Sequence, residues 1–143
     1  MKILYIVNDL DFFNSHRLPI AEKIIENGDQ VFMASNKTGK ILDIKYYKID
    51  INRSNLNPLQ NTVVLLQLIK IINKVKPDIV HSITLKPVIF ISILSFFFKK
   101  IKIINAISGL GFLFISNRKS LAKTIVELIL KHTIKKENMF YNV

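Results

Sequence analysis

Cysteine is absent from the sequence, which excludes disulfides and thiolate metal sites and leaves the redox compartment unmarked. Histidines and carboxylates are sparse and scattered, three and ten in 143 residues, so no metal cage is expected. Glycine is scarce, and none lies between Asn8 and Asn14, the segment after the first apolar run. A dinucleotide fingerprint needs glycines there, so that the pyrophosphate can approach the backbone. Its absence argues against an NAD or FAD site. No GxSxG elbow, HExxH, P-loop or kinase signature is present. Long hydrophobic runs are missing too. The longest uncharged apolar stretch, Pro87–Phe98, falls short of the roughly 20 residues a spanning helix needs. Met1-Lys2 leads straight into the first apolar run, without the order of a signal peptide.

What is present is apolar and basic. Half of the residues are hydrophobic, and mean hydropathy is +0.31. That suits a sheet covered on both faces, or contact with a membrane surface. The net charge of +11 suits anionic partners such as phospholipid headgroups, nucleotides or pyrophosphates. The lysines are spread along the chain, whereas nucleic-acid modules cluster them and interleave aromatics; no nucleic-acid partner is expected.

Periodicity gives the elements. Ile3–Val7 reads as a buried first strand. Leu18, Ala21, Ile24 and Ile25 have helical spacing, with Ser15 as N-cap, Pro19 in the first turn and Gly28 as terminator. Asp29–Ser35 and Tyr46–Ile51 read as strands two and three. Pro58 opens a helix to Val75, with Gln60, Gln67, Lys70 and Lys74 as its polar stripe and a wide buried face of Leu, Val and Ile. Pro77–Ser82 and Ile101–Ala106 read as strands four and five, with a helix from Lys86-Pro87 between them because a parallel strand needs a crossover. Arg118–Lys136 reads as a last helix, its Glu127 paired with Lys131, and Met139–Val143 as strand six. This alternation predicts an α/β fold: one Rossmann-like, doubly wound domain over residues 1–143, its mainly parallel six-stranded sheet carrying helices on both faces.

In such sheets ligands bind at the carboxyl ends of the strands. Phe13, Ser15, His16 and Arg17 follow strand one, Lys86 follows strand four, and Ser108, Gly109 and Gly111 follow strand five. Arg17 and free helix-start N–H groups favour phosphate or carboxylate; His16 can act as donor or acid/base. The glycines allow a tight turn or a close approach of backbone to ligand. Lys86 sits at a helix start, against the dipole, which hints at a ligand role. His81, flanking the end of strand four, is expected to be a satisfied core residue, and His132 structural or exposed.

In order and suitable spacing, Phe12–Pro19, Gly28–Val31, Pro77–His81, Lys86-Pro87 and Asn105–Phe114 resemble the N-terminal domain of family-4-like bacterial glycosyltransferases of the GT-B fold. The resemblance covers essentially the whole chain. It implies two Rossmann-like domains facing a cleft, the N-terminal one binding the acceptor and the C-terminal one the nucleotide-sugar. It implies a retaining, metal-independent transferase with no cofactor, acting in surface polysaccharide, capsule or lipopolysaccharide biosynthesis. The acceptor would be a glycan or a lipid-pyrophosphate-linked sugar, and the location cytoplasmic, against an anionic membrane surface at the inner face of the cytoplasmic membrane. His16 is the candidate catalytic residue, since Ala106-Ile107-Ser108 stands where many relatives carry a histidine. The donor-binding domain is missing from these residues, so the chain is expected to be inactive alone, with that domain on another chain. The alternative is a non-enzymatic Rossmann-like scaffold or membrane-peripheral partner subunit.

Overall fold

The structure is a computed structural model that describes residues 1–52 and 57–106, together with the backbone of 140–141. In chain order the elements are β1 (Lys2–Val7), α1 (Leu10–His16), α2 (Leu18–Glu26), β2 (Gln30–Ser35), β3 (Lys45–Lys48), α3 (Pro58–Val75), β4 (Ile79–Ile83), α4 (Leu85–Leu94), β5 (Lys102–Ala106) and β6 (Phe140–Tyr141). All pairings are parallel, in the order β3-β2-β1-β4-β5-β6. The expected doubly wound architecture is present.

The sheet is central because its strands are apolar on both sides. In β1 every residue from Ile3 to Val7 is buried. One face, with Ile3, Tyr5, Val7, Val31 and Met33, packs under α1 and α2 through Leu10, Phe13 and Ala21. The other, with Leu4, Ile6, Ala34, Val80 and Ile103, packs under α3 and α4. Pro58 starts α3 behind an Asn57 cap, and Lys76 ends it in the left-handed region at φ 50°, just before Pro77. Gly28, at φ 84°, turns the chain from α2 into β2.

The structure corrects four local expectations. First, Ser15 is not an N-cap but lies inside α1. Asp9 caps that helix by accepting from the Asp11 N–H. Pro19 has no N–H for the Ser15 carbonyl, so the helix expected after Ser15 starts only at Leu18, beyond a break at Arg17, and α1 is a separate helix that precedes it. Second, Gln67 lies on the expected polar stripe but is half-buried and not simply hydrated: it pins the loop after β3, accepting from the Asp50 N–H and donating to the Asp50 carboxylate at 2.7 Å. Third, the buried face of α3 is narrower than expected. Leu59, Val63 and Leu66 are exposed, on the side opposite Val64, Leu68, Ile71 and Val75. Fourth, His81 sits at the middle of β4, not at its end. The expected last helix, with Glu127, Lys131 and His132, and the Ser108–Gly111 turn lie outside the described residues.

Phe13 is 0% exposed and its ring edge meets Tyr5 at 5.1 Å. Phe13→Ala is expected to cost about 3–5 kcal/mol. Leu59→Ser, at a residue 78% exposed, should stay within about 0.5 kcal/mol. Urea unfolding of both variants checks the division between core and surface.

Candidate functional site

β1 and β4 are neighbours in the sheet, but the chain leaves them toward opposite faces, to α1 after β1 and to α4 after β4. That divergence opens a crevice at their carboxyl ends, the place where doubly wound folds bind ligands. Asn8 follows β1 and Thr84 follows β4. The Thr84 hydroxyl donates to Asn8 Oδ1 at 2.8 Å, and the Thr84 N–H donates to the Ala106 carbonyl at 2.9 Å. Three strand ends are thereby tied at one point. Thr84 holds φ 73° and ψ 162°, a region that belongs essentially to glycine and costs a β-branched residue about 1–3 kcal/mol. Its hydroxyl is turned to Asn8 and caps no N–H of α4.

α1 follows Asn8 and packs on one face of the sheet with two unlike sides. Leu10, Phe13, Asn14 and Arg17 share one side by helical spacing, and Leu10 and Phe13 are buried on it. Ser15 and His16 are exposed on the other. The sequence-predicted group therefore divides. Phe13 is a core residue beneath the site. His16 stacks on Phe12 at 4.4 Å between ring centroids. Its Nδ1 lies 3.2 Å from the Phe12 carbonyl and 2.6 Å from Ser15 Oγ. Nδ1 donates to the Phe12 carbonyl in one tautomer and accepts from the Ser15 hydroxyl in the other, so both contacts hold the ring in place. Ser15 Oγ is within 3.0 and 3.1 Å of the Asp11 and Phe12 carbonyls.

Arg17 occupies the break between α1 and α2. α2 ends at the amino edge of the sheet, where Gln30 N donates to the Met1 carbonyl; Arg17, at its other end, is on the carboxyl side. The guanidinium lies close enough to Tyr5 and His81 to act on both. Arg17 Nε is shut off from water without a hydrogen-bond partner, as are His81 Nε2 and Asn14 Oδ1. Tyr5 and His81 are register partners whose rings are 5.0 Å apart. Burial pushes the Tyr5 hydroxyl up to about 12. Burial, with the Arg17 charge adding to it, pushes His81 down to about 4. His81 was expected to be satisfied in the core; its Nε2 is not, and with Tyr5 and Arg17 it forms a polar cluster that reading the sequence missed.

Lys86, in the first turn of α4, is half-buried, and burial lowers its pKa. Its Nζ donates to the Asn52 carbonyl at 2.7 Å and stands 5.9 Å from the Phe90 ring centroid. The structure thus brings Arg17 to the crevice beside His81 and Lys86 to the first turn of α4. Ser15 and His16 stand on the exposed side of α1, and Ser108, Gly109 and Gly111 are outside the described residues.

The site yields two stability predictions. The unfolded chain takes a proton on His81 near its ordinary pKa of 6.5, whereas the folded chain takes one only near 4. Stability contributed by neutral His81 is therefore fully present above the unfolded pKa and lost as pH falls toward the folded one. His81→Phe should flatten the pH dependence of the urea midpoint between about pH 6.5 and pH 5; an unchanged slope would contradict the assignment. At Thr84, the strained backbone inverts the usual order of small residues. Thr84→Gly is expected to be more stable than Thr84→Ala by about 1–2 kcal/mol, by thermal or urea unfolding.

Comparison with known proteins addresses the fold and the family. MurG from Acinetobacter baumannii is 16% identical, with a TM-score of 0.59, over 73% of this chain and 33% of that one. Sucrose-phosphate synthase from Thermosynechococcus elongatus is 8% identical, with a TM-score of 0.64, over 100% of this chain and 47% of that one. A UDP-GlcNAc 2-epimerase from Methanocaldococcus jannaschii is 15% identical, with a TM-score of 0.61, over 100% and 45%. A synthase and an epimerase appear together, so the likeness carries the Rossmann-like fold and not one activity. The chain spans about a third to a half of the length of these structures. No curated protein matches the sequence. Residues 2–140 match the family model described as glycosyl transferase 4-like. With nearly the full chain matched, on a doubly wound sheet with its crevice between β1 and β4, this protein belongs to the glycosyl transferase 4-like family.

Proposed function

We propose that these residues form the acceptor-side wall of a glycosyltransferase. The enzyme moves a sugar from a nucleotide-sugar to a glycan or lipid-pyrophosphate-linked acceptor in surface polysaccharide assembly, at the inner face of the cytoplasmic membrane. The observation that carries this reading is the family match over residues 2–140. The crevice between β1 and β4 adds a place for the acceptor.

Arg17 is the acceptor-anchoring cation in this reading. Among the described residues no carboxylate pairs with it and its Nε lacks a partner, so a phosphate or carboxylate oxygen can take the guanidinium without displacing an ion pair. Lys86 supplies a second positive charge at the start of α4. His16 is the candidate to accept the acceptor hydroxyl's proton, its ring held by the stack on Phe12 and the contacts to Ser15 and the Phe12 carbonyl. Phe13 holds α1 on the sheet beneath them. Ser108, Gly109 and Gly111, which follow β5 in the sequence, are the further acceptor-side candidates. Transfer then proceeds with retention, without a metal or other cofactor, against a donor-binding wall that faces this one across the cleft.

The test joins this chain to a donor-binding domain and measures transfer from nucleotide-sugars to an undecaprenyl-pyrophosphate glycan. Arg17→Ala should raise the acceptor KM by about 10- to 100-fold, the size expected for one lost charge-assisted hydrogen bond, and Arg17→Lys should recover part of it. His16→Asn should lower kcat more than it raises KM. An Arg17→Ala enzyme with wild-type KM, or transfer by the 143 residues alone, would overturn the reading. Absence of transfer from every donor would favour the scaffold alternative.

A further inference from the structure

Apolar exposure on this domain is uneven. Among the described residues, six of the nine exposed large hydrophobics, Leu59, Val63, Leu66, Ile93, Phe96 and Phe97, belong to α3, α4 or the turn after α4. Those helices form the layer on one face of the sheet. Leu59, Val63 and Leu66 recur at i, i+4 and i+7, so they line one stripe, and the stripe points away from the buried residues of α3. At 100° per residue the same stripe continues into Lys70 and Lys74, both exposed. Beyond α4, Phe97 is 78% exposed and Lys99 and Lys100 follow it, also exposed.

The charge of this layer is equally one-sided. From Pro58 to Ala106 the sequence carries Lys70, Lys74, Lys76, Lys86, Lys99, Lys100 and Lys102 against the single acid Asp78. Asp78 is committed to the amino edge of the sheet, where its carboxylate accepts from the Lys2 N–H at 2.7 Å. An outward surface that mixes an aliphatic stripe, exposed phenylalanines and lysines in excess over the acids, Asp78 and the Asp50 that Gln67 holds against α3, has a specific complement. A water-facing role does not need the apolar groups. A second copy of the chain would set lysine against lysine. An anionic bilayer accepts both parts: phenylalanine and leucine enter the interfacial region while lysines meet the headgroups.

We propose that the outward surface of the α3–α4 layer, through Leu66 and Phe97 with Lys70, Lys74, Lys99 and Lys100, docks this domain on an anionic phospholipid bilayer. Lying on that face sets the strands parallel to the membrane plane and the β1–β4 crevice at its side, where a lipid-borne acceptor can enter without being lifted out of the bilayer. This builds on the reading of the domain as one that meets a lipid-linked acceptor, but its test involves no sugar transfer, so the two fail separately.

The sequence contains no tryptophan, which allows a one-site optical reporter. Phe97→Trp, Leu66→Trp and, as a control on the opposite layer, Ile20→Trp are made in the 143-residue chain. Each is mixed with vesicles of phosphatidylcholine alone or with one-third phosphatidylglycerol. The expected result is a blue shift of the emission at positions 97 and 66 with the anionic vesicles only, reversed by high salt, and none at position 20. In flotation, Lys99→Glu/Lys100→Glu should lower the bound fraction at least tenfold with an unchanged melting temperature. A shift at position 20 as large as the others would overturn the proposal. So would no shift at 97 or at 66, equal binding of the charge-reversed variant, or a shift that depends on protein concentration without vesicles.

Discussion

The interaction on which the arrangement depends is the parting of β1 and β4. Two parallel strands paired residue for residue from Ile3–Ile79 to Val7–Ile83 must release their chains to opposite faces, and nothing in a regular ladder holds the ends once they diverge. Asn8 and Thr84 do so. The hydroxyl-to-amide bond between them, and the Thr84 N–H bond to Ala106, clasp β1, β4 and β5 where the crevice opens. The left-handed backbone of Thr84 is the strain this clasp stores. Crevice geometry, the start of α4 and the placement of Lys86 all follow from it.

The two faces of the sheet carry different chemistry. Under α1 and α2, an aromatic row of Phe13, Tyr5 and His81 runs from helix to sheet, and the Arg17 charge lies over it. Water is excluded from polar nitrogens there without replacement partners. Under α3 and α4 the core is mainly aliphatic, and its buried polar side chains are small: Ser82 and Asn105, which hydrogen-bond across β4 and β5, and Ser92 and Ser95 at the end of α4, where the Ser95 hydroxyl donates to the Ser92 carbonyl. One layer is organised for polar recognition near the strand ends, the other for apolar packing inside and lysines outside.

How far the sequence foretells this can be followed residue by residue. The strands were legible because two-sided burial leaves runs such as Ile3–Val7, and α3 because Pro58 and Pro77 bracket it. α1 was not, since seven residues hold less than two full periods and the break at Arg17 arises from a carbonyl left without a donor by Pro19. The site was legible in part. Arg17 and Lys86 follow from strand-end position, but the division of α1 into a Phe13–Arg17 side and a Ser15–His16 side required the true helix start at Asp9. His81 was noticed yet misread, because whether a strand histidine finds a partner is decided by neighbouring elements. Thr84 left no trace, because a positive φ at a β-branched residue contradicts local preference and is imposed by Asn8 and Ala106.

The outermost described strand on the β2 side, β3, consists of Lys45, Tyr46, Tyr47 and Lys48, with both lysines exposed. Its free edge still offers unpaired peptide groups to any extended chain that comes alongside. Four residues and a cation at each end make that offer short and electrostatically unwelcoming to a second such edge. In a polypeptide so rich in isoleucine and phenylalanine, this modest strand works as a guard against self-templated aggregation.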